Sequence, residues 1–518
     1  MAAPSPSAAA PRWPAPSAWP RSRPRPRARA VAAALALAGL ALAPLTVAAP
    51  LAAQSASVRS PYTVAAEPPA GFDRGAALQA TQAHLVELIR RNTENPPGNE
   101  LVVARYLDSV FKQIPGVETQ ILEAAPGRAD FVARLRATNP TKRPLLVMGH
   151  MDVVNADAAK WQTPPFEATV REGYLYGRGA IDDKGMLAAT TAALQQLATQ
   201  RDRLQRDIVL LGTAGEEGGP TVGVDWVLEH HPEVLEGVEF ALNEGGRIRV
   251  EDGRVRTVNI QTTEKVYYDV VGTATGPSGH GSVPLPDNAL AALARAVARV
   301  HAWAPPVKLN ETTRLYFQKL ALIEEDSTTR AAMQAISRPG ADSATIDRAA
   351  AVLSRDPLLN AVLRTGLSLT LLDGGIRSNV IPSEGKATFN VRTLPDDDIT
   401  EIVAAMNRVA AEPQVKFALD GEPAESPPPS PVSTALYQAM EHAATAMSPE
   451  TVVIPFMSTG ATDGAVLRAA GIPTYGILPM PLPMEDELRM HGDNERVPVA
   501  ALGWAAEYLY RILSEVAG

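Results

Sequence analysis

Two histidines and several carboxylates follow short apolar runs in the sequence, where they could bind metal ions. Neutral imidazole nitrogens and carboxylate oxygens are ligands for Zn²⁺, and one carboxylate can bridge two ions. The candidates are His150, Asp152, Asp182, Glu216, Glu217, Glu244 and His491. The chain has no cysteine, which excludes disulfides, thiolate zinc sites and thiol nucleophiles. Any metal ion must therefore be bound by nitrogen and oxygen.

Each of these signals is weak when taken alone. A histidine at a strand end, such as His150, is more often a hydrogen-bonded structural residue, and Asp182 could equally cap a helix. If the strand continues past residue 148, His150 and Asp152 face the same side, so the aspartate could orient the imidazole. The combination of two histidines with three or more carboxylates at strand ends is what indicates a site for two zinc ions.

The apolar runs alternate with stretches of helical periodicity. The pattern predicts strands over 144–148, 208–211 and 240–242, and helices over 76–92, 185–198 and 224–230. This alternation favours an α/β fold with a mainly parallel sheet covered by helices. In such sheets ligands bind at the carboxyl ends of the strands, which is where the polar candidates lie.

The pattern changes in the middle of the chain. Strands are predicted over 265–273, 368–372, 386–391 and 414–419, and helices over 288–303 and 398–411. This order predicts an inserted ferredoxin-like α+β domain, with a helical insertion over 310–356. The larger α/β domain is therefore predicted in two segments, 76–262 and 434–518. Between them lie the inserted domain over 263–421 and a Pro-rich linker over 422–433.

The N-terminus has the features of a targeting segment. Six arginines precede an apolar run over 31–45, which is short for a membrane span, so residues 1–53 are predicted to be a signal peptide. Its removal would change the net charge from −9 to −15, which argues against a nucleic-acid partner. We expect an exported protein, periplasmic or secreted, with no stable membrane span after processing. The alternative is a membrane anchor formed by an uncleaved N-terminus.

Five ordered motifs resemble those of the di-zinc aminoacylase and carboxypeptidase family. They are His150-Met-Asp152, Gly177-Arg-Gly-Ala-Ile-Asp182-Asp-Lys-Gly, Glu216-Glu217, Asn243-Glu244-Gly and His491-Gly-Asp-Asn-Glu. The resemblance covers nearly all of the chain after about residue 75. It is closest to carboxypeptidase S and the secreted N-fatty-acyl-amino-acid hydrolases, through phrases such as Trp161-Gln-Thr-Pro-Pro-Phe166.

The resemblance implies a role for each candidate. His150 and Glu244 would bind one zinc, Glu217 and His491 the other, and Asp182 would bridge them. Asp152 would orient His150, Glu216 would be the general base, and the peptide bond Asp182-Asp183 would be cis. Residues 76–262 and 434–518 would form the catalytic domain. The inserted domain over 263–421 would be a lid or dimerisation domain, in which His280 would stabilise the tetrahedral intermediate. Asn379, Arg392 and Thr462 resemble substrate-binding residues, although Thr459-Gly-Ala-Thr462-Asp463 replaces a common Gly-Asn-Thr-Asp.

The function implied is a zinc-dependent hydrolase of amide bonds. It would cleave small peptides in the manner of a carboxypeptidase, or N-acyl amino acids, through a water held between two Zn²⁺ ions. Co²⁺ or Mn²⁺ could replace zinc, and the inserted domain could form a homodimer. The alternative is a catalytically silent protein of the same fold that binds a metal or a peptide.

Overall fold

The computed structural model describes residues 60–218, 222–424 and 426–518. The predicted signal peptide, residues 1–53, lies outside the described residues. In the described part of the chain, no helix combines the length and the apolar character needed to cross a membrane.

The strands are numbered in chain order. They are β1 Val117–Ala125, β2 Arg128–Leu135, β3 Leu145–His150, β4 Thr169–Arg171, β5 Tyr174–Tyr176, β6 Ile208–Thr213, β7 Phe240–Asn243, β8 Arg247–Glu251, β9 Arg254–Glu264, β10 Val266–Thr275, β11 Gly279–His280, β12 Gly366–Gly374, β13 Val380–Ile381, β14 Glu384–Thr393, β15 Val415–Asp420, β16 Val452–Ser458, β17 Thr474–Gly476, β18 Pro481–Pro483 and β19 Arg496–Pro498.

The α-helices follow the same order. They are α1 Arg74–Arg90, α2 Leu101–Phe111, α3 Lys184–Leu197, α4 Val224–His230, α5 Ala289–Ala302, α6 Glu311–Leu320, α7 Ser327–Ile336, α8 Ser343–Leu353, α9 Pro357–Leu363, α10 Ile399–Ala410, α11 Ala435–Met447, α12 Gly464–Ala469, α13 Met484–Glu487 and α14 Val499–Ala517.

A ten-stranded sheet forms the larger part of the molecule. Its strand order is β1-β2-β6-β3-β7-β17-β9-β8-β18, and β16 pairs with β9 outside this path. The central strands β6, β3, β7 and β17 run parallel, whereas β1 and β2 are antiparallel additions at one edge. The central strands are buried on both faces, as expected for parallel strands between layers of helices.

Alternate residues of the central strands belong to two different hydrophobic cores. Leu145 and Val147 of β3 pack in the core that contains α1, α3 and α14, whereas Leu146 and Met148 pack in the core that contains α4 and α12. This alternation follows from the two-residue repeat of a strand. It places helices on both faces of the sheet and leaves the strand ends accessible for a site.

The inserted domain has a four-stranded antiparallel sheet in the order β12-β14-β10-β15. Helices α5 and α10 pack on one face of this sheet, around Val270, Leu293, Phe389 and Met406. The chain order of these elements, βαββαβ, is ferredoxin-like. The structure therefore confirms the predicted fold class, and the predicted domain boundaries stay predictions.

The insertion between α5 and β12 is helical, and it continues beyond residue 356 to the end of α9. Its four helices share a core that includes Phe317, Met333, Ile336 and Leu353. Helix α6 packs on β16 of the large sheet, where the rings of Tyr316 and Phe456 are 6.2 Å apart. The helical insertion therefore connects the inserted domain to the ten-stranded sheet.

We expect this contact to depend on Phe317. Replacing the fully buried Phe317 with Ala should lower the stability of the insertion by about 3–5 kcal/mol, because it leaves a cavity. Replacing Leu322, which is 72% exposed just after α6, with Ala should change stability by no more than about 0.5 kcal/mol. Thermal unfolding and limited proteolysis would measure both variants. Equal effects would contradict this packing.

Candidate metal centre

The candidate residues meet at the carboxyl edge of the central strands. His150 is the last residue of β3, and Glu216 and Glu217 lie in a short 3₁₀ turn that follows β6. Glu244 directly follows β7, which pairs with β3. The parallel direction of these strands brings their ends to one side of the sheet.

Asp182 lies between the two candidate histidines. Its Oδ1 is 2.9 Å from His150 Nε2, and its Oδ2 is 3.1 Å from His491 Nε2. The peptide bond between Asp182 and Asp183 is cis, as the motifs predicted. One carboxylate thus faces two imidazoles through its two oxygens, which is the arrangement that a bridging ligand requires.

The structure forms two groups of possible ligands that share one glutamate. The first contains His150, Glu216 and Glu217, and the second contains Asp182, Glu217 and His491. Glu217 Oε1 lies 2.9 Å from His491 Nε2. Among the described residues, Glu244 belongs to neither group, although it is buried and its charge acts on the same site. Sequence reasoning placed Glu244 beside His150 and left Glu216 outside the ligand set.

Asp152 holds the backbone of the acidic turn as well as the imidazole. Its backbone carbonyl accepts a hydrogen bond from His150 Nδ1 at 3.0 Å, and its carboxylate Oδ1 lies 3.5 Å from that nitrogen. The same carboxylate accepts the backbone N–H groups of Glu216 and Glu217, at 3.2 and 3.0 Å. One buried aspartate therefore orients a histidine and both glutamates.

Asn95 is a residue that sequence reasoning missed. Its side-chain amide donates to Asp152 Oδ2 at 2.7 Å, and its backbone N–H donates to the carbonyl of Val153 at 2.9 Å. The sequence Asn95-Pro-Pro-Gly predicted only the end of a helix. Two consecutive prolines after an asparagine were the available signal, and both peptide bonds, Asn95-Pro96 and Pro96-Pro97, are cis.

Negative charge dominates the site. Burial raises the pKa of Glu216 well above its ordinary value, and burial together with Asp182 raises the pKa of Glu244 to about 8. A hydrogen bond to Asp182 and the nearby carboxylate of Glu217 raise the pKa of His491 to about 10. In the described part of the chain, neither Lys nor Arg forms an ion pair with Asp182, Glu216, Glu217 or Glu244.

The donor set fits divalent cations. Buried carboxylates must be paired with positive charge or bind metal ions, and the surrounding protein supplies little positive charge here. Glu217 Oε1 is buried, and although it lies 2.9 Å from His491 Nε2, it has no partner with good hydrogen-bond geometry within the described residues. Two imidazoles and several carboxylates, without any thiolate, are hard to borderline ligands that suit zinc and similar ions.

Two of the predicted lid residues, His280 and Asn379, lie close together. Within the described residues, no hydrogen bond connects them to the candidate metal ligands. His280 in β11 pairs with Val380 in β13, directly after Asn379. Both His280 and Asn379 are exposed, and His280 Nδ1 lies 2.7 Å from the hydroxyl of Ser282. The structure thus brings these two residues next to each other at the β11–β13 pair of the inserted domain.

Arg392 and Thr462 occupy different surroundings. The Arg392 guanidinium lies 4.6 Å from the centre of the Tyr267 ring, and its Nε donates to Asn390 Oδ1 at 3.2 Å. Thr462 donates both its backbone N–H and its hydroxyl to Glu264, at 2.8 and 2.7 Å. The hydroxyl proton of Thr462 is therefore already donated to a protein carboxylate. The substrate-binding role of Thr462 stays a prediction.

Comparison with known proteins places this site in a family. The family profile described as Peptidase family M20/M25/M40 matches residues 146–515. A Dictyostelium discoideum protein named "Probable carboxypeptidase S-like 2" is 30% identical over 391 residues, covering 72% of this chain and 71% of its own. The human "N-fatty-acyl-amino acid synthase/hydrolase PM20D1" is 27% identical over 425 residues, covering 79% of this chain and 81% of its own.

A solved structure shares the fold. The M20 family metallo-carboxypeptidase Sso-CP2 from Sulfolobus solfataricus matches 84% of this chain and 98% of its own, with a TM-score of 0.62 and 19% identity. These findings confirm the family that the motifs indicated. The chain belongs to the M20/M25/M40 peptidase family and is a metallohydrolase that acts on amide bonds.

Proposed function

We propose that the protein is a zinc-dependent hydrolase of small peptides or N-acyl amino acids that carry a free carboxylate next to the scissile amide. The observation that carries this proposal is Asp182, whose two oxygens face His150 and His491 separately. The names of the Dictyostelium and human relatives support the two substrate classes. The same site could hold Co²⁺ or Mn²⁺, which have similar ligand preferences.

We propose the metal ligands that the family motifs imply, all of which except Glu244 belong to the two groups of possible ligands in the structure. His150 and Glu244 would bind one ion, Glu217 and His491 the other, and Asp182 both. When bound, such ions polarise the scissile carbonyl and lower the pKa of water towards neutrality. Asp152 would keep the ring of His150 and the two adjacent glutamates in place, because it contacts all three.

Glu216 is the proposed general base. It would accept a proton from the attacking water and pass it to the leaving amine nitrogen. Its neighbour Glu217 lies next to His491. The two adjacent glutamates would therefore have different roles, since Glu216 would transfer the proton and Glu217 would bind the metal ion. His280 would supply a hydrogen bond to the developing oxyanion, which requires the inserted domain to close over the site.

Arg392 and Asn379 are the proposed contacts for the substrate carboxylate. A guanidinium binds a carboxylate through two parallel hydrogen bonds. Arg392 has no carboxylate within ion-pair distance among the described residues, and stacking on Tyr267 restricts its orientation. A positive group without a partner on the inserted domain is suited to an anionic substrate.

We further propose that the protein forms a homodimer through β12. This strand lies at the edge of the inserted sheet, where its outer N–H and C=O groups can pair with another strand. Its residues Leu371 and Leu372 are 65% and 67% exposed, and a groove of about 850 Å³ lies between β12 and α5. A second copy of β12 would cover both the edge and the apolar side chains.

We also propose that the protein is exported by its N-terminal segment.

The first test of the proposed mechanism is Glu216→Gln. The variant should keep about two metal ions per chain and lose about 10²- to 10⁴-fold in kcat, because only the proton transfer is removed. Elemental analysis and steady-state kinetics on dipeptides and N-acyl amino acids would measure this. Glu217→Gln is the matched comparison, since it should lose metal as well as activity. Near-normal turnover by Glu216→Gln would rule out the assigned base.

The second test concerns the substrate carboxylate. Arg392→Gln should lower kcat/KM by about 10- to 150-fold, since hydrogen bonds to a charged group contribute about 1.5–3 kcal/mol. Substrates with an amidated carboxyl group should be affected much less. Lys386→Gln, on the same strand and face and paired with Glu384, is the control. An equal loss on both kinds of substrate would exclude carboxylate recognition by Arg392.

The third test concerns the proposed dimer. Light scattering should show a dimer for the wild-type chain and a monomer after Leu371→Lys combined with Leu372→Lys, because two charges would be buried without partners. Leu358→Lys, at an equally exposed position on α9, should leave the dimer intact. A wild-type monomer at micromolar concentration would refute the proposal.

A further inference from the structure

We propose that Glu495 and Arg178 are positioning residues that set the distance between Asp182 and His491 across the metal centre. The inference rests on the proposed metal site. Both side chains are almost fully buried, and their ion pair has a length of 2.6 Å. They act through the backbone of the two segments that carry the candidate ligands.

Glu495 shapes the segment that ends at Asp182. Its Oε1 accepts the backbone N–H groups of Ile181 at 2.7 Å and Asp182 at 3.3 Å. Its Oε2 accepts the N–H of Gly179 at 3.1 Å and Nη1 of Arg178 at 2.6 Å. One carboxylate thus satisfies four donors of a single turn. Since Glu495 follows His491 by four positions, it ties the bridging residue to the histidine loop.

Arg178 holds the histidine loop from the other side. Its Nη2 donates to the carbonyls of Gly492 at 3.0 Å and His491 at 3.4 Å. His491 has φ of 61°, a left-handed conformation that residues with a β-carbon rarely adopt, so its backbone needs outside support. The guanidinium also lies 5.3 Å from the centre of the Trp161 ring. These contacts restrict where the imidazole can point.

Metal ligands need this kind of support because coordination distances tolerate errors of only about 0.2 Å. Residues behind the ligands that fix their orientation typically contribute about 10- to 100-fold in metal affinity or activity. Asp182 and His491 come from distant regions of the chain, and the Arg178–Glu495 pair spans their two segments. Other ion pairs with a buried carboxylate, such as Glu507 with the partly exposed Arg74, do not touch a segment that carries a candidate ligand.

The test is Glu495→Gln in the full-length chain, with Zn²⁺ and Co²⁺ as probes. Glutamine keeps the shape, but its NH₂ group faces other donors and the negative charge is lost. After removal of bound metal, calorimetry with Zn²⁺ should show that the affinity of at least one of the two proposed sites falls about 10- to 100-fold. The visible spectrum of the Co²⁺ form should change, and kcat should fall while KM stays within about threefold of wild type.

Controls separate positioning from general stability. Glu507→Gln should lower the thermal unfolding midpoint yet leave Zn²⁺ affinity and the Co²⁺ spectrum unchanged. If Glu495→Gln does not fold, Arg178→Lys provides the same test, since a lysine cannot reach Glu495 and the carbonyl of Gly492 together. Unchanged Zn²⁺ affinity and Co²⁺ spectrum in a folded Glu495→Gln or Arg178→Lys variant would overturn the inference.

The same measurements distinguish this inference from the proposed function. A wild-type chain that binds no Zn²⁺ overturns the metal site itself. Wild-type Zn²⁺ binding with full activity of Glu216→Gln overturns the assigned base, but the affinity of Glu495→Gln still tests the positioning pair. Weakened binding in Glu495→Gln together with normal binding in Glu507→Gln supports it.

Discussion

The burial of several carboxylates beside two imidazoles is the constraint on which the rest of the structure depends. Asp182, the adjacent pair Glu216 and Glu217, and Glu244 come from three segments and meet where the protein supplies few positive charges. Burial and the neighbouring charge of Asp182 together raise the pKa of Glu244, so both effects disfavour a fully charged cluster. Bound divalent cations would offset both effects, so the same ions would serve the chemistry of the site and the stability of its loops.

The loops that carry these ligands are held by a second set of buried carboxylates. Asp152 accepts the backbone N–H groups of Glu216 and Glu217, and Glu495 accepts those of Ile181 and Asp182. Backbone hydrogen bonds to a charged acceptor are strong and directional, so they define where each turn begins. In the candidate metal centre, two turns that carry possible ligands are therefore held by side chains that are not themselves candidate ligands.

The candidate metal ligands and the proposed substrate-binding residues lie on different sheets. The candidate ligands lie at the ends of the central parallel strands, whereas His280, Asn379 and Arg392 lie on the inserted domain. Helices α6 to α9 connect these regions, because α6 packs on β16 while Leu394 of the inserted domain lies in the same core. The closure of the inserted domain proposed for His280 would therefore have to accommodate this helical contact.

Much of this arrangement was predictable from the sequence. Short apolar runs and helical periodicity located three of the four central strands and the six main elements of the inserted domain to within a few residues, because burial imposes these patterns locally. The motifs identified the family and the candidate ligands. Four features were not predictable from the sequence. They are the hydrogen bond of Asn95 to Asp152, the ion pair of Arg178 with Glu495, the hydrogen bonds of Thr462 to Glu264, and the packing of the helical insertion on β16.

The sequence by itself determined which residues could bind metal and which segments form strands and helices, since both follow from residue type and short-range spacing. Only the tertiary structure decided which distant side chains meet, because hydrogen bonds between segments hundreds of residues apart depend on how the whole chain packs.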